Sequence, residues 1–200
     1  MRKIAIYGGS FNPPHIGHLN AARSFLKHTG AEKLVVIPSF IPPHKECSDF
    51  ASAEDRLNMC RLNFLGIEEA EISDIEIARG GKSYTYVTLQ ELSCSECELY
   101  FLVGTDMLLT LDKWMYPEII LKCATLCYVR REQDEALTGE IFACIAALEE
   151  KYGVKIMKID ADVKEISSTE IREAIRCGTD ISSYILPEVF DYIRQNRVYF

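Results

Sequence analysis

Nowhere in this 200-residue chain does an apolar stretch approach the roughly 20 residues that a helix needs to cross a bilayer. The apolar opening run breaks off at Gly8, too early for the core of a secretory leader, so a cytoplasmic protein is expected, with no membrane contact. Cations are in deficit. Lys and Arg number 22 against 30 Asp and Glu, a net charge of −8. That balance excludes the broad basic surface of a nucleic-acid-binding protein. It leaves room for a nucleotide held by a few local cations and backbone N–H groups. Histidine is scarce, with four residues and none beyond His44, and the single tryptophan is Trp114. There is no internal repeat and no low-complexity linker. One α/β domain over residues 1–200 is expected, long enough to bury a substantial core.

Eight cysteines are present, but only Cys94 and Cys97 show a C-x-x-C spacing. No second such pair follows, and no histidine lies downstream to complete a zinc set, so no protein-held metal is expected. Cys123, Cys127 and Cys144 sit among apolar neighbours and read as small core residues. In a cytoplasmic protein structural disulfides are not expected either.

Short apolar runs alternate with helical periodicity. Strands are expected over residues 3–7, Lys33–Pro38, Glu98–Val103, Ala124–Val129 and Lys155–Ile159. Helices are expected over 17–28, 53–65, 85–93, 135–151, 168–176 and 187–195, with Gly30, Gly66, Gly153 and Gly178 near their ends. Glu71–Ile77 alternates apolar and polar, as an edge strand or extended connection would. The alternation predicts a doubly wound, Rossmann-like parallel sheet with helices on both faces. The proline-framed stretch Pro38–Asp49 cannot be regular helix, and it follows a strand at the edge where such sheets bind ligands. Its Phe40, His44 and Lys45 make it a candidate substrate loop.

The first strand runs straight into Gly8-Gly9-Ser10-Phe11-Asn12-Pro13-Pro14-His15-Ile16-Gly17-His18. Glycines let backbone N–H groups approach a phosphate, and a helix opening near Gly17 aims its positive end at the same anion. The imidazoles of His15 and His18 are donors for phosphate oxygens, and Gly17 leaves room between them. Ser10 and Phe11 offer N–H groups at the turn, and Asn12 is placed to brace it. Far downstream, Ile166-Ser167-Ser168-Thr169-Glu170-Ile171-Arg172 opens another helix. Ser167 or Ser168 reads as its N-cap. Its free N–H groups, the Ser168 and Thr169 hydroxyls and the planar Arg172 cation suit a second phosphate contact.

The two strings together resemble the nucleotidyltransferase superfamily, and within it the bacterial nicotinate mononucleotide adenylyltransferases. The resemblance spans nearly the whole chain. It implies adenylyl transfer from ATP to nicotinate mononucleotide, giving nicotinate adenine dinucleotide and pyrophosphate, with Mg²⁺ delivered by ATP and no dedicated protein metal site. His15, His18 and Arg172 become the candidate catalytic residues. ATP is expected on Gly8, Gly9, Ser10, Phe11, Gly17 and the histidines, on Gly104 and Asp106, and on Ile166 to Thr169 with Arg172. The mononucleotide is expected on Ser10, Phe11, His44, Lys45, Tyr84, Thr85, Asp106, Trp114 and Arg130. Asp106 would take a ribose hydroxyl, and Trp114 would stack on the ring. The chain departs from the family pattern after Arg130, where Arg131-Glu132-Gln133-Asp134 replaces a Pro-Gly turn. Phosphopantetheine adenylyl transfer and a non-catalytic nucleotide sensor remain the alternatives. The four-residue string His15 to His18 also occurs in class I aminoacyl-tRNA synthetases. This chain is acidic, short for a tRNA-binding partner, and lacks their Lys-Met-Ser-Lys-Ser loop. A homo-oligomer is left open. The resemblance implies a preference for nicotinate mononucleotide over its amide, with the strictness of that preference left open.

Overall fold

Six strands lie parallel in the order β3-β2-β1-β4-β5-β6 in the computed structural model, which describes residues 1–43, 49–130, 135–161 and 167–200. The strands are β1 (Arg2–Gly9), β2 (Lys33–Pro38), β3 (Ala70–Ile72), β4 (Cys97–Gly104), β5 (Ala124–Val129) and β6 (Met157–Ile159). This is the doubly wound order. The chain winds outward from β1 through β2 and β3, then returns to start again at β4 on β1's other side. The reversal opens a crevice beyond the carboxyl ends of β1 and β4, where such sheets bind ligands.

The strands are short apolar runs because both faces are covered. Along β1, Ala5 and Tyr7 enter one core with Phe25 and Leu34, while Ile6 enters the other with Leu99 and Leu108. Helices α1 (Ile16–Thr29) and α2 (Ala53–Asn63) cover the first face. The second is covered by α4 (Thr85–Leu92), α5 (Thr105–Thr110), α6 (Pro117–Cys123) and α7 (Glu135–Tyr152), after the short α3 (Ile75–Arg79). The last helices, α8 (Ser168–Cys177) and α9 (Pro187–Gln195), pack Ile171, Ile175, Val189 and Ile193 around Met59 of α2. Gly30 and Gly178 end α1 and α8 at φ of 62° and 68°, a left-handed cap that costs glycine little.

Three local expectations are corrected. The alternating stretch 71–77 is strand only to Ile72. The Ser73 hydroxyl accepts from the Ile75 amide at 3.3 Å, and that turn starts α3. Helices α5 and α6 had no periodic signal. Pro117 at the first position of α6 was the available cue. Cys94 and Cys97 are joined in a disulfide, against the expectation of none. A turn between α4 and β4, closed by Cys97 N donating to the Cys94 carbonyl at 3.2 Å, brings the two residues together. Cys127 is buried as expected, while Cys123 and Cys144 are only half-buried.

Candidate active site

At the carboxyl end of β1 the chain turns through Gly8–Phe11. Phe11 has φ 46°, a left-handed conformation that a bulky residue adopts only when its surroundings hold it there. Its ring is 1% exposed and meets Tyr7, His18 and Phe64 edge-on at 5.3, 5.1 and 5.9 Å between centroids. A Cβ on Gly9 would stand 3.1 Å from that ring, so Gly9 makes room for the turn. The ring of Phe11 thus anchors the turn from inside the core and leaves Gly8, Gly9 and Ser10 on the wall of a cavity.

The cavity lies beyond β1 and β4. Gly104 at the end of β4, then Asp106 and Met107 on α5, form one side. Tyr84, Thr85 and Thr88 at the start of α4 form another, with Trp114 and Met115 near the mouth. Gly104 is where Asp106 needs space, since a Cβ there would lie 3.0 Å from Asp106 Oδ1. The Trp114 indole N–H reaches Thr110 Oγ1 at 3.4 Å, which orients the ring. Ser83 does not cap α4. Its hydroxyl accepts from the Phe40 amide at 2.8 Å and ties the segment after β2 to the start of that helix.

Beside the cavity, α1 opens with its two histidines. His15 is the N-cap: its Nδ1 accepts from Gly17 N at 3.1 Å, and His18 Nδ1 accepts from His15 N at 3.2 Å. Both rings are buried, His15 at 0% and His18 at 9% exposure. His18 is therefore part of the packing as well as a ligand candidate. Tyr7, which also lines the cavity, lies 6.2 Å from His18 between ring centroids.

The second motif folds back onto the first. Arg172 Nη1 donates to the Asn12 carbonyl at 2.9 Å, and Ser168 Oγ donates to the Pro13 carbonyl at 2.9 Å. Ser167, not Ser168, caps α8, in a reciprocal box with Glu170. Both serine hydroxyls thus have structural partners, and Thr169 Oγ1 accepts from Arg172 Nη2 at 3.4 Å. Arg172 is 9% exposed, and its Nε is a buried donor without a hydrogen-bond acceptor among the described residues.

Arg130 stands just past β5, with its Nη1 on Thr138 Oγ1 of α7 at 2.8 Å, and is not on the cavity wall. His44, Lys45 and Ile166 lie outside the described residues, as does the stretch after Arg130 where the family pattern breaks. Several site residues carried no sequence signal. Arg56 is 1% exposed and donates to three carbonyls, those of Ala51, Ser10 and Phe40, at 3.2, 2.9 and 3.1 Å. It ties the Gly8–Phe11 turn to the segment after β2. Tyr199 donates to Asn12 Oδ1 at 2.7 Å, and the same oxygen accepts from Ala51 N at 2.9 Å. Glu76 and the Ser39 hydroxyl, both nearly buried, also line the cavity.

Anion-seeking groups thus gather where a doubly wound sheet takes its nucleotide. Comparison with known proteins gives the class. The family model described as cytidylyltransferase-like matches residues 6–174. A protein of Listeria monocytogenes (serotype 4a, strain HCC23), named "Probable nicotinate-nucleotide adenylyltransferase", is 34% identical over 199 residues, 98% of this chain and 97% of its own. A protein of the same name from Caldicellulosiruptor bescii is 37% identical over 198 residues, 98% of each chain. The chain belongs to the cytidylyltransferase-like family and, within it, to the nicotinate-nucleotide adenylyltransferases. The fold agrees. The Plasmodium falciparum nicotinic acid mononucleotide adenylyltransferase complexed with NaAD superimposes with a TM-score of 0.76 at 21% identity, covering 100% of this chain and 98% of that one.

Proposed function

We propose that the protein joins the adenylyl group of ATP to nicotinate mononucleotide, giving nicotinate adenine dinucleotide and pyrophosphate in NAD biosynthesis. A phosphate oxygen of the mononucleotide attacks the α-phosphorus of ATP, and the bond from that phosphorus to the pyrophosphate oxygen breaks. The nucleophile is already an anion, so no general base is required. Catalysis reduces to alignment and to balancing the charge that builds on the phosphoryl oxygens. The observation that carries this reading is the meeting of the two motifs. The hydrogen bond from Arg172 Nη1 to the Asn12 carbonyl, at 2.9 Å, brings a buried cation to the turn that precedes the histidine pair.

In this reading His15, His18 and Arg172 face the reacting phosphates. Gly8, Gly9, Ser10 and the first turn of α8 support the triphosphate. The cavity holds the mononucleotide, with Asp106 on its ribose and Trp114 against its ring. The N–H groups at the start of α4, around Thr85, take the ring carboxylate. Mg²⁺ enters as part of the ATP substrate. The described residues gather no group of three His, Cys, Asp or Glu that would hold it separately. One domain over 1–200 and a cytoplasmic location, where ATP is supplied, belong to the same reading. No described helix is long and apolar enough to cross a membrane.

The test is pyrophosphate release by the purified protein with ATP, Mg²⁺ and, in parallel, nicotinate mononucleotide, its amide and phosphopantetheine. Turnover with the acid mononucleotide is expected. Turnover with phosphopantetheine alone, or nucleotide binding without turnover, would replace this reading with one of its alternatives.

A further inference from the structure

The cavity wall has an unexpected electrostatic balance. Among the described residues it carries two carboxylates, Asp106 and Glu76, and no Lys, Arg or His. Asp106 has a role in the proposed function and Glu76 has none. Glu76 sits on α3 and is 8% exposed. Its Oε1 accepts from Thr88 Oγ1 of α4 at 2.7 Å. Arg79 Nη2 lies 3.9 Å from Glu76 Oε1, and that guanidinium is shared. Its Nη1 binds Glu91 at 2.8 Å and its Nη2 donates to Thr88 at 2.9 Å. Two carboxylates thus divide one guanidinium, which leaves the cluster with a net negative charge against the cavity.

Position gives that charge a consequence. Thr88 follows Thr85 by three residues on α4, less than one helical turn, or about 5 Å along the axis. Glu76 is therefore held close to the helix end where, on the function proposed above, the ring carboxylate is received. The two rival substrates differ in charge at that point. The nicotinate ring is a zwitterion, with a pyridinium cation balanced by its carboxylate. The nicotinamide ring keeps the cation alone. A fixed negative charge attracts the pyridinium in both, but repels only the acid's carboxylate. Beside a carboxylate as buried as Glu76 this difference is screened less than in open water.

We propose that Glu76 is a specificity-determining residue of this site: its carboxylate draws in the pyridinium cation and holds down the preference for the acid over the amide. Shape and the N–H groups of α4 select the carboxylate, and Glu76 limits how far that selection goes.

The test compares kcat/KM for nicotinate and nicotinamide mononucleotides, at saturating ATP and Mg²⁺, in the wild type, Glu76→Gln and Arg79→Gln. A second readout needs no turnover. Quenching of Trp114, the single tryptophan, reports the Kd of each mononucleotide. Glu76→Gln is expected to raise the acid-to-amide ratio about 3- to 10-fold, and Arg79→Gln, which strips the cluster of its cation, to lower it about 2- to 3-fold. An acid-to-amide ratio unmoved in Glu76→Gln, or shifted toward the amide, overturns the inference. If Glu76→Gln does not fold, Arg79→Gln decides, and an unmoved or raised ratio there overturns it. Wild-type turnover of the acid mononucleotide shows that such a failure belongs to Glu76 and not to the proposed reaction. Wild type that neither binds nor converts either mononucleotide overturns both.

Discussion

His15 and His18 hold each other in place at the mouth of α1. The His15 amide donates to His18 Nδ1 at 3.2 Å, the Gly17 amide donates to His15 Nδ1 at 3.1 Å, and the two ring centroids are 3.8 Å apart. A ring nitrogen that accepts carries no proton, so each neutral imidazole keeps its proton on Nε2. The helix cap thereby fixes the tautomer that keeps Nε2–H as a donor.

Replacing His18 with Ala should therefore do two things. Losing a donor to the transition state should lower kcat about 100-fold. Losing a helix-capping acceptor should cost about 1 kcal/mol of stability. Steady-state kinetics and urea unfolding on the same preparation separate the two. Turnover within about 3-fold of wild type would remove His18 from the chemistry.

Tyr199 reaches Asn12, beside the Gly8–Phe11 turn, from the far end of the described chain. Its hydroxyl, whose pKa burial pushes far above the ordinary tyrosine value, donates to Asn12 Oδ1 at 2.7 Å. Asn12 in turn gives its carbonyl to Arg172. Tyr199→Phe should lower kcat about 3- to 10-fold with little change in the KM for the mononucleotide. The lost hydrogen bond should cost about 1 kcal/mol, or roughly 2–4 °C in Tm. An unchanged kcat would show that Asn12 holds Arg172 without this brace.

Glu170 gives the acid-side dependence of stability. The Ser167 hydroxyl and then the Ser167 amide, both at 2.7 Å, hold its carboxyl below the ordinary 4.5. A carboxyl with a lowered folded pKa adds stability that is complete above the unfolded value and is lost as pH falls through the folded one. Urea midpoints for wild type and Glu170→Gln should differ at pH 7 and converge as pH drops below about 4. A gap that does not narrow as pH falls below the ordinary carboxylate value would mean that charge is not what the cap uses. The box itself is tested by Ser167→Ala, with an expected loss of about 1 kcal/mol.

Thiol labelling should follow burial. Cys177 is exposed and should alkylate first. Burial pushes the Cys127 thiol up to about 12, and raises that of fully buried Cys60 too, with Arg56 only partly opposing. Both should stay unlabelled at pH 8 until the protein unfolds. Cys94 and Cys97 should label only after reduction, because they form a disulfide. Peptide mass spectrometry of alkylated protein reads all five sites, and rapid labelling of Cys94 without reductant would contradict the paired state.

Much of the architecture is written locally. Strands buried on both faces must be short apolar runs, so β2 and β5 were legible to the residue, and β1 and β4 to within two residues at either end. The glycine turn with its two histidines, and the Ser-Ser-Thr helix start, were legible for the same reason: each does its work within a few consecutive residues.

What the sequence could not show is which distant groups meet. The bond from Arg172 to Asn12 spans 160 positions, and that from Tyr199 to Asn12 spans 187. Arg56, in a polar helical stretch, looks like any surface cation until the fold sets three loop carbonyls around it. Glu76 fell in a stretch that alternates like a strand, and its place on the cavity wall follows only once Ser73 has turned the chain into α3. The sequence by itself determined the elements and the two motifs at 8–18 and 166–172, because propensity and capping act over a turn or two of chain. Only the tertiary structure decided which carbonyls hold the buried cations and which charge faces the cavity, because those depend on strand order and on burial.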